Sequence, residues 1–343
     1  MRRTRPRTLA ATAVMAALAA TALSSGPAQA ADGQSKPGHE SFAVIGDVPY
    51  GATQVAKFPG WVDQINADPD VSLAFHVGDI KNGSTRCDDA YYRMIRAQFD
   101  RFTDPLVYTP GDNEWTDCHR ANNGAYNPLE RLAFDRSVFF DHPGTTLGVP
   151  ARVSVADPAF PENVSLRRDG VDFAALHVVG SNNDLQPWTG IGQTTATAEQ
   201  VAEERARMDA SIALLRNTFA EARQRHDRAV VVLQQADMFD PTYTPAPDDI
   251  SAFTPLVQAL VDEASAFDGD VYLVNGDSHV YNYDRPLAPG SVWLDRYGVT
   301  GSASNLQRIT VDGSDNNRDW LKVTVNRPGA DRVLSWERVP YTS

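Results

Sequence analysis

Between Phe42 and Val339 the chain alternates short apolar runs with longer stretches whose apolar positions recur every three or four residues. The short runs are rich in Val, Ile, Leu and Phe and predict buried strands; the longer periodic stretches predict helices packed on one face. Four strands end alike. Residues 43–45 run into Gly46-Asp47, 75–77 into Gly78-Asp79, 106–110 into Gly111-Asp112, and 271–275 into Gly276-Asp277. In open α/β sheets the crevice beyond the carboxyl ends of the strands is where ligands bind. Four carboxylates at one such edge would repel one another and push some of their pKa values upward unless cations neutralise them. The pattern therefore points to bound divalent metal.

Helices are expected over 53–66, 88–102, 128–140, 198–226 and from Thr254-Pro255 onward. Tyr91, Met94, Ile95, Phe99 and Phe102 form one apolar face; Leu256, Val257, Leu260, Val261 and Ala264 form another. Asn127 before Pro128 reads as an N-cap with proline at the first helical position. Pro59 and Gly60 interrupt the first helical pattern. Further strands are expected over 171–179, ending in Ser181-Asn182-Asn183-Asp184, and over 229–233, ending in Gln234-Gln235. The stretch 141–170 is rich in Pro and Gly, with one short strand at 152–155. Loops cover 186–197 and 237–249. The tail reads as short strands at 306–311, 320–325 and 333–339. Strands alternating with helices, then a strand-rich tail, predict one layered α/β domain over 41–343.

The first 30 of the 343 residues read differently. Arg2, Arg3, Arg5 and Arg7 precede an apolar, Ala-rich run over 9–23, and Ala28-Gln29-Ala30 is a small-x-small cleavage site. This is the pattern of a secretory signal peptide. The run is shorter than the ~20 residues a membrane span needs, and no second apolar segment is long enough. Residues 31–40 read as a flexible leader. The secreted chain would carry 27 basic against 44 acidic residues, a net charge of −17. That balance argues against a broad nucleic-acid face, which needs clustered Lys and Arg. Two cysteines, Cys87 and Cys118, suggest one disulfide in an exported protein. It would tie the loop after Asp79 to the loop after Asp112, closing about 30 residues and contributing roughly 3–4 kcal/mol.

Five motifs in order give the chain a resemblance: I-G-D-V-P (45–49), V-G-D-I (77–80), P-G-D-N-E-W (110–115), V-V-L-Q-Q (231–235) and N-G-D-S-H-V-Y (275–281). Their order and placement at strand ends resemble the calcineurin-like metallophosphoesterases, the family that includes the purple acid phosphatases. The resemblance covers about residues 42–286. It implies a four-layer α/β/β/α sandwich and two adjacent metals. It assigns metal-ligand positions to Asp47, Asp79 (bridging), Asp112, Gln234 (or Gln235 in a slipped register), Asp277 and His279. Pro49 stands where the family has a histidine ligand, and Asn113 where it has the histidine that assists the leaving group. His119, close in sequence to Asn113, is the candidate replacement acid. The carboxylate- and amide-rich set favours Mg²⁺, Ca²⁺ or Mn²⁺ over Zn²⁺.

The activity implied is hydrolysis of a small phosphorylated substrate, a mono- or diester, by two-metal hydroxide attack, in a secreted or extracytoplasmic monomer. The alternative is a catalytically inactive relative that binds metal and a ligand or cell-envelope partner. His76 and His177 lie on apolar strands and read as hydrogen-bonded structural residues. Glu114 and Trp115 follow Asp112 and are expected to line the mouth of the site. Asn182 and Asn183 are expected to stand behind the ligands.

Overall fold

Along the first strand, β1 (Glu40–Ile45), Phe42 and Val44 face one way and Ala43 and Ile45 the other, and all four are buried. A strand buried on both faces needs a cover on each, and the rest of the chain supplies the covers. A computed structural model describes residues 40–342 together with Met1. The expected signal peptide (beyond Met1) and leader (up to Glu40) lie outside the described residues. In chain order the remaining strands are β2 (Val71–His76), β3 (Pro105–Tyr108), β4 (Leu147–Gly148), β5 (Ser154–Val155), β6 (Val164–Arg168), β7 (Val171–Ala175), β8 (Ala229–Leu233), β9 (Asp270–Asn275), β10 (Asn282–Asp284), β11 (Leu306–Thr310), β12 (Asp319–Val325) and β13 (Leu334–Pro340).

Six strands form one sheet in the order β13-β12-β1-β2-β3-β4, and seven form a second in the order β10-β11-β9-β8-β7-β6-β5. The two sheets pack face to face. Phe42, Val44, Phe75 and Val107 of the first meet Phe173, Val231, Tyr272 and Ile309 of the second in one apolar cluster. Helices Gly51–Ala67, Asp89–Phe99 and Pro128–Phe139 cover the outer face of the first sheet through Phe58, Val62, Ile95, Phe99 and Phe139. Helices Ala198–Arg225 and Thr254–Ser265 cover the second through Leu215, Phe219, Leu256 and Leu260. This is the α/β/β/α sandwich expected. Among the described residues no helix is long and apolar enough to cross a membrane.

Local chemistry explains the boundaries. Pro59 sits inside the first helix without ending it; the lost backbone bond is offset by burial of Phe58, Trp61, Val62 and Ile65. Asn127 caps its helix by accepting from the N–H groups of Leu129 and Glu130. Thr197 and Gln200 form a capping box at the start of the longest helix, which ends where His226 turns left-handed at φ 54°. The 141–170 stretch holds more strand than expected: β6 pairs with β7 along its length. The strand expected over 171–179 leaves the ladder after Ala175.

His76 and His177 are fully buried. His76 donates through Nε2 to the Val48 carbonyl at 2.8 Å, and His177 through Nδ1 to Glu162 at 2.8 Å. Burial pushes the His177 ring down to about 4, so folding holds it neutral. Its stabilising effect is complete above the unfolded pKa of 6.5 and is lost as pH falls toward 4. The stability difference between the parent chain and His177→Gln is expected to shrink by roughly 3 kcal/mol between pH 7 and pH 4. Urea titrations of both proteins at the two pH values read it; a difference independent of pH would contradict a neutral buried ring.

Candidate metal centre

Parallel pairing aligns the carboxyl ends of β1, β2 and β3 in the first sheet and of β7, β8, β9 and β11 in the second, and the two edges meet as one where the Asp277 N–H donates to the Asp47 carboxylate. Three of the four Gly-Asp pairs then turn across that edge in a left-handed conformation: φ is 54° at Asp47, 61° at Asp79 and 74° at Asp277, with His279 at 63°. Left-handed backbone is uncommon outside glycine, is borne most readily by Asp and Asn, and gathers at functional sites. Glycine permits the close packing. A Cβ on Gly276 would lie 2.2 Å from Asp47 Oδ2, and one on Gly111 would lie 2.1 Å from Asp79 Oδ1.

One oxygen each of Asp47 and Asp79 and one ring nitrogen of His279 lie within 4.8 Å of one another. His279 Nε2 is 3.3 Å from Asp47 Oδ1. Both aspartates are fully buried, whereas the histidine side chain is 34% exposed, so the trio opens to solvent on the histidine side. The Tyr50 hydroxyl reaches all three: it donates to Asp79 Oδ2 at 2.8 Å and lies 3.4 Å from both Asp47 Oδ1 and His279 Nε2. Asn113 fixes Asp79 from the other side, its backbone N–H on Oδ1 at 3.1 Å and its amide on Oδ2 at 2.7 Å; the same amide reaches Tyr50 at 2.9 Å.

Asp112 and Asp277 meet at Gly180, where a Cβ would lie 2.7 Å from Asp112 Oδ2 and 3.1 Å from Asp277 Oδ1. Ser181 donates to Asp112 Oδ2 at 2.8 Å, and the Asp237 N–H donates to Asp277 Oδ2 at 3.0 Å. The amide that reaches Asp112 belongs to Gln235, at 3.3 Å, while Gln234 turns to the Ala236 carbonyl. Of the two glutamines the resemblance allows, Gln235 is the one beside Asp112, because a one-residue step along an extended segment reverses the side chain.

Charge is concentrated here. Burial, reinforced by the negative charges of Asp112, Glu114, Asp47 and Asp277, pushes the Asp79 carboxyl well above its usual range. Burial together with Asp112 and Asp47 does the same to Asp277. For His279 burial opposes the charge, but the hydrogen bond and charge of Asp47 outweigh it and raise the ring. Lys81 is fully buried beside the cluster and is pushed down to about 8 by burial, against the pull of Glu114 and Asp117.

Other expected site residues stand elsewhere. Glu114 is buried beneath the edge rather than at its mouth. Its Oε1 accepts from the N–H groups of Asp79 and Gly111 and from the Tyr108 hydroxyl, which ties the turns after β2 and β3 together. Trp115 is fully buried, 5.5 Å from the His177 ring and under the Arg207 guanidinium. His119 accepts at Nδ1 from the Gly190 N–H at 3.1 Å, which turns that nitrogen toward the 189–191 turn. Asn182 and Asn183 point to Ser251 and Glu204, and Ser181 takes the place beside Asp112. The sequence reading misses Tyr50, Lys81 and Asp117. The spacing Asp47-x-x-Tyr50 could have drawn notice to the tyrosine; Asp117 and Lys81 carry no motif. The Cys87–Cys118 disulfide forms, with Cα atoms 5.9 Å apart, and joins the loops following Asp79 and Asp112.

Two carboxylates and one imidazole converging on a space already reached by a phenol hydroxyl suit one divalent cation. Asp112 and Asp277 offer oxygens beside it, whereas the Gln235 oxygen is taken by the Gly180 N–H at 2.7 Å. No protein-family model and no curated protein matches the sequence. Among solved structures the chain is similar to GAP50, the anchor in the inner membrane complex of Plasmodium, at a TM-score of 0.42 and 9% identity over 89% of this chain and 90% of that one. It is similar to the purple acid phosphatase PPD1 of yellow lupin (Lupinus luteus) seeds at 0.42 and 14%, over 89% of this chain and 52% of that one. A 5'-nucleotidase precursor from Thermus thermophilus follows at 0.39 and 12%, over 88% and 54%. The chain spans about half the length of the latter two.

Proposed function

We propose that the chain is an exported, metal-dependent phosphoester hydrolase. The observation that carries this reading is the convergence of Asp47, Asp79 and His279 within 4.8 Å at the strand edge, with Asp112 and Asp277 beside them. Asp47, Asp79 and His279 would hold the cation, and the oxygen-rich set suits Mg²⁺, Ca²⁺ or Mn²⁺. A cation bound there supplies Lewis-acid stabilisation of charge on the phosphoryl oxygens. Asn113 and Tyr50 hold Asp79 in place. Both amide hydrogens of Asn113 are already engaged, on Asp79 and on Tyr50, so Asn113 positions rather than protonates. His119 faces Gly190. On this reading no acid of ordinary strength stands at the trio among the described residues for the leaving group, an omission worth about 10²–10⁴-fold. Esters of acidic phenols should outpace alkyl esters by that margin.

A second reading is favoured by Tyr50. Its hydroxyl and the Asn113 amide already compensate the carboxylates in the way a cation would, as expected of an inactive relative that uses the crevice to bind a ligand.

One experiment separates the two. The purified chain is assayed on an aryl monophosphate and a bis-aryl phosphate, metal-free and with Mg²⁺, Ca²⁺, Mn²⁺ and Zn²⁺ in turn, with melting temperatures recorded in parallel. Turnover that requires a hard cation, together with a cation-induced rise in melting temperature, is the expected result. A rise in melting temperature without turnover on either ester would leave the ligand-binding relative as the working identity.

A further inference from the structure

Next to the trio lies a groove of about 530 Å³ lined by Tyr50, Gln54, Lys57, Trp61, Asp315 and Arg318 among others. One wall is the start of the Gly51–Ala67 helix; the other is the segment around 315–318. The walls are fastened together and to the metal edge. Gln54 accepts from the Tyr50 N–H at 2.8 Å and donates to the Ser314 carbonyl at 2.6 Å, and the Ser314 N–H donates to the Asp47 carbonyl at 2.9 Å. Tyr50 belongs to both places: it lines the groove, and its hydroxyl bonds Asp79.

The charge of this groove differs from that of the protein. The chain carries −13 overall, yet the groove contains two cations, Lys57 and Arg318, against the single acid Asp315. Both cations are exposed, and neither is ion-paired among the described residues. Arg318 spends one N–H on the Asn317 carbonyl at 3.2 Å and keeps the others. The helix turn that forms the first wall has no acidic residue and no side-chain cap, so its dipole adds positive potential. The volume lies within the 300–1,000 Å³ range of small-molecule sites.

We propose that this groove holds the part of the substrate beyond the reacting phosphoryl group, and that this part carries its own negative charge, matched by Lys57 and Arg318. The substrate class is thus an organic phosphate with a second anionic group, a carboxylate or a further phosphate. The inference rests on the phosphoesterase reading above, since the trio must hold the first phosphoryl group.

Two non-hydrolysable probes isolate the second charge: benzylphosphonate and its para-carboxy derivative. Their binding to the full chain in Mn²⁺ is measured by calorimetry, beside the Lys57→Glu/Arg318→Glu variant. Both positions are exposed, so the variant should fold. The parent chain should prefer the carboxylated probe by about tenfold, the effect of two exposed charge pairs. The variant should lose that preference and keep benzylphosphonate within about twofold. Equal affinities in the parent chain, or a preference that survives the double reversal, would overturn the groove and leave the metal trio standing. Failure of the parent chain to bind either phosphonate would remove the trio, and the groove assignment with it.

Discussion

Asparagine in place of Asp79 is expected to remove cation-dependent hydrolysis, lowering kcat/KM for an aryl phosphate by at least about 10²-fold, without lowering the melting temperature of the metal-free chain. Asp79 lies between the two groups of candidate ligands. Tyr50 and Asn113 both donate to its Oδ2, and burial with the charges of Asp112, Glu114, Asp47 and Asp277 disfavours its ionised form. Without a cation the negative charge at this position is a liability that a neutral amide of the same shape removes, and this gain offsets the hydrogen bond that the amide NH2, unlike a carboxylate oxygen, cannot accept. With a cation the same charge becomes the attraction that holds it, and the amide forfeits that. Asparagine also tolerates the left-handed backbone at φ 61°. The variant should therefore show no cation-induced rise in melting temperature, which separates ligand loss from unfolding. Turnover equal to that of the parent chain would remove Asp79 from the ligand set.

The second large effect is structural. Arg207→Met is expected to cost about 3–5 kcal/mol in urea denaturation. Arg207 is fully buried on the longest helix. It donates to the His177 carbonyl at 3.1 Å, to the Asn183 side chain and backbone carbonyl, and to both oxygens of Glu203 at 3.1 Å, while lying 5.1 Å above the Trp115 ring. Methionine fills the space but strands those acceptors. The clamp fixes the turn Ser181–Asp184, in which four successive residues have φ between 52° and 73°, and Ser181 is the donor to Asp112. Arg207→Lys should lose most of the same stability, because an ammonium cannot reproduce the planar fork. Glu203→Gln, at a position 14% exposed, should cost only about 1 kcal/mol. A loss below that for Arg207→Met would show that the turn holds itself.

What could be read without the structure was what repeats. The apolar strand followed by Gly-Asp occurs four times, and parallel strands share a direction, which aligns Asp47, Asp79 and Asp112 at the edge of one sheet; Asp277 ends a strand of the other sheet and joins them across the sandwich, its N–H on the Asp47 carboxylate. The layers followed from strands that bury both faces. Features set by single long-range contacts were illegible. The sequence left Gln234 and Gln235 as alternatives, and only the backbone path after β8 decides that Gln235 faces Asp112. Tyr50 comes into reach of Asp79 through the turn between β1 and its helix, a conformation that no periodicity encodes. Glu114 turns inward to the buried N–H of Asp79, and Trp115 to the guanidinium of Arg207; both partners are far away in sequence. Strand β6 is hidden because a Pro- and Gly-rich setting masks a five-residue strand.

The left-handed backbone at Asp47, Asp79, Asp277 and His279 also limits how this edge can drift over generations. Residues with a short polar side chain occupy that conformation readily, whereas most others pay about 1–2 kcal/mol and β-branched ones more. Mutation at these four positions is therefore filtered by geometry before it is filtered by chemistry. Aspartate can pass to asparagine almost freely, but not to valine, threonine or isoleucine. On the metal-binding reading, a descendant lineage that abandoned the cation would carry asparagine or glycine at these turns, with the strands around them unchanged. The fold would outlive the chemistry, and an amide at position 79 would be its fossil.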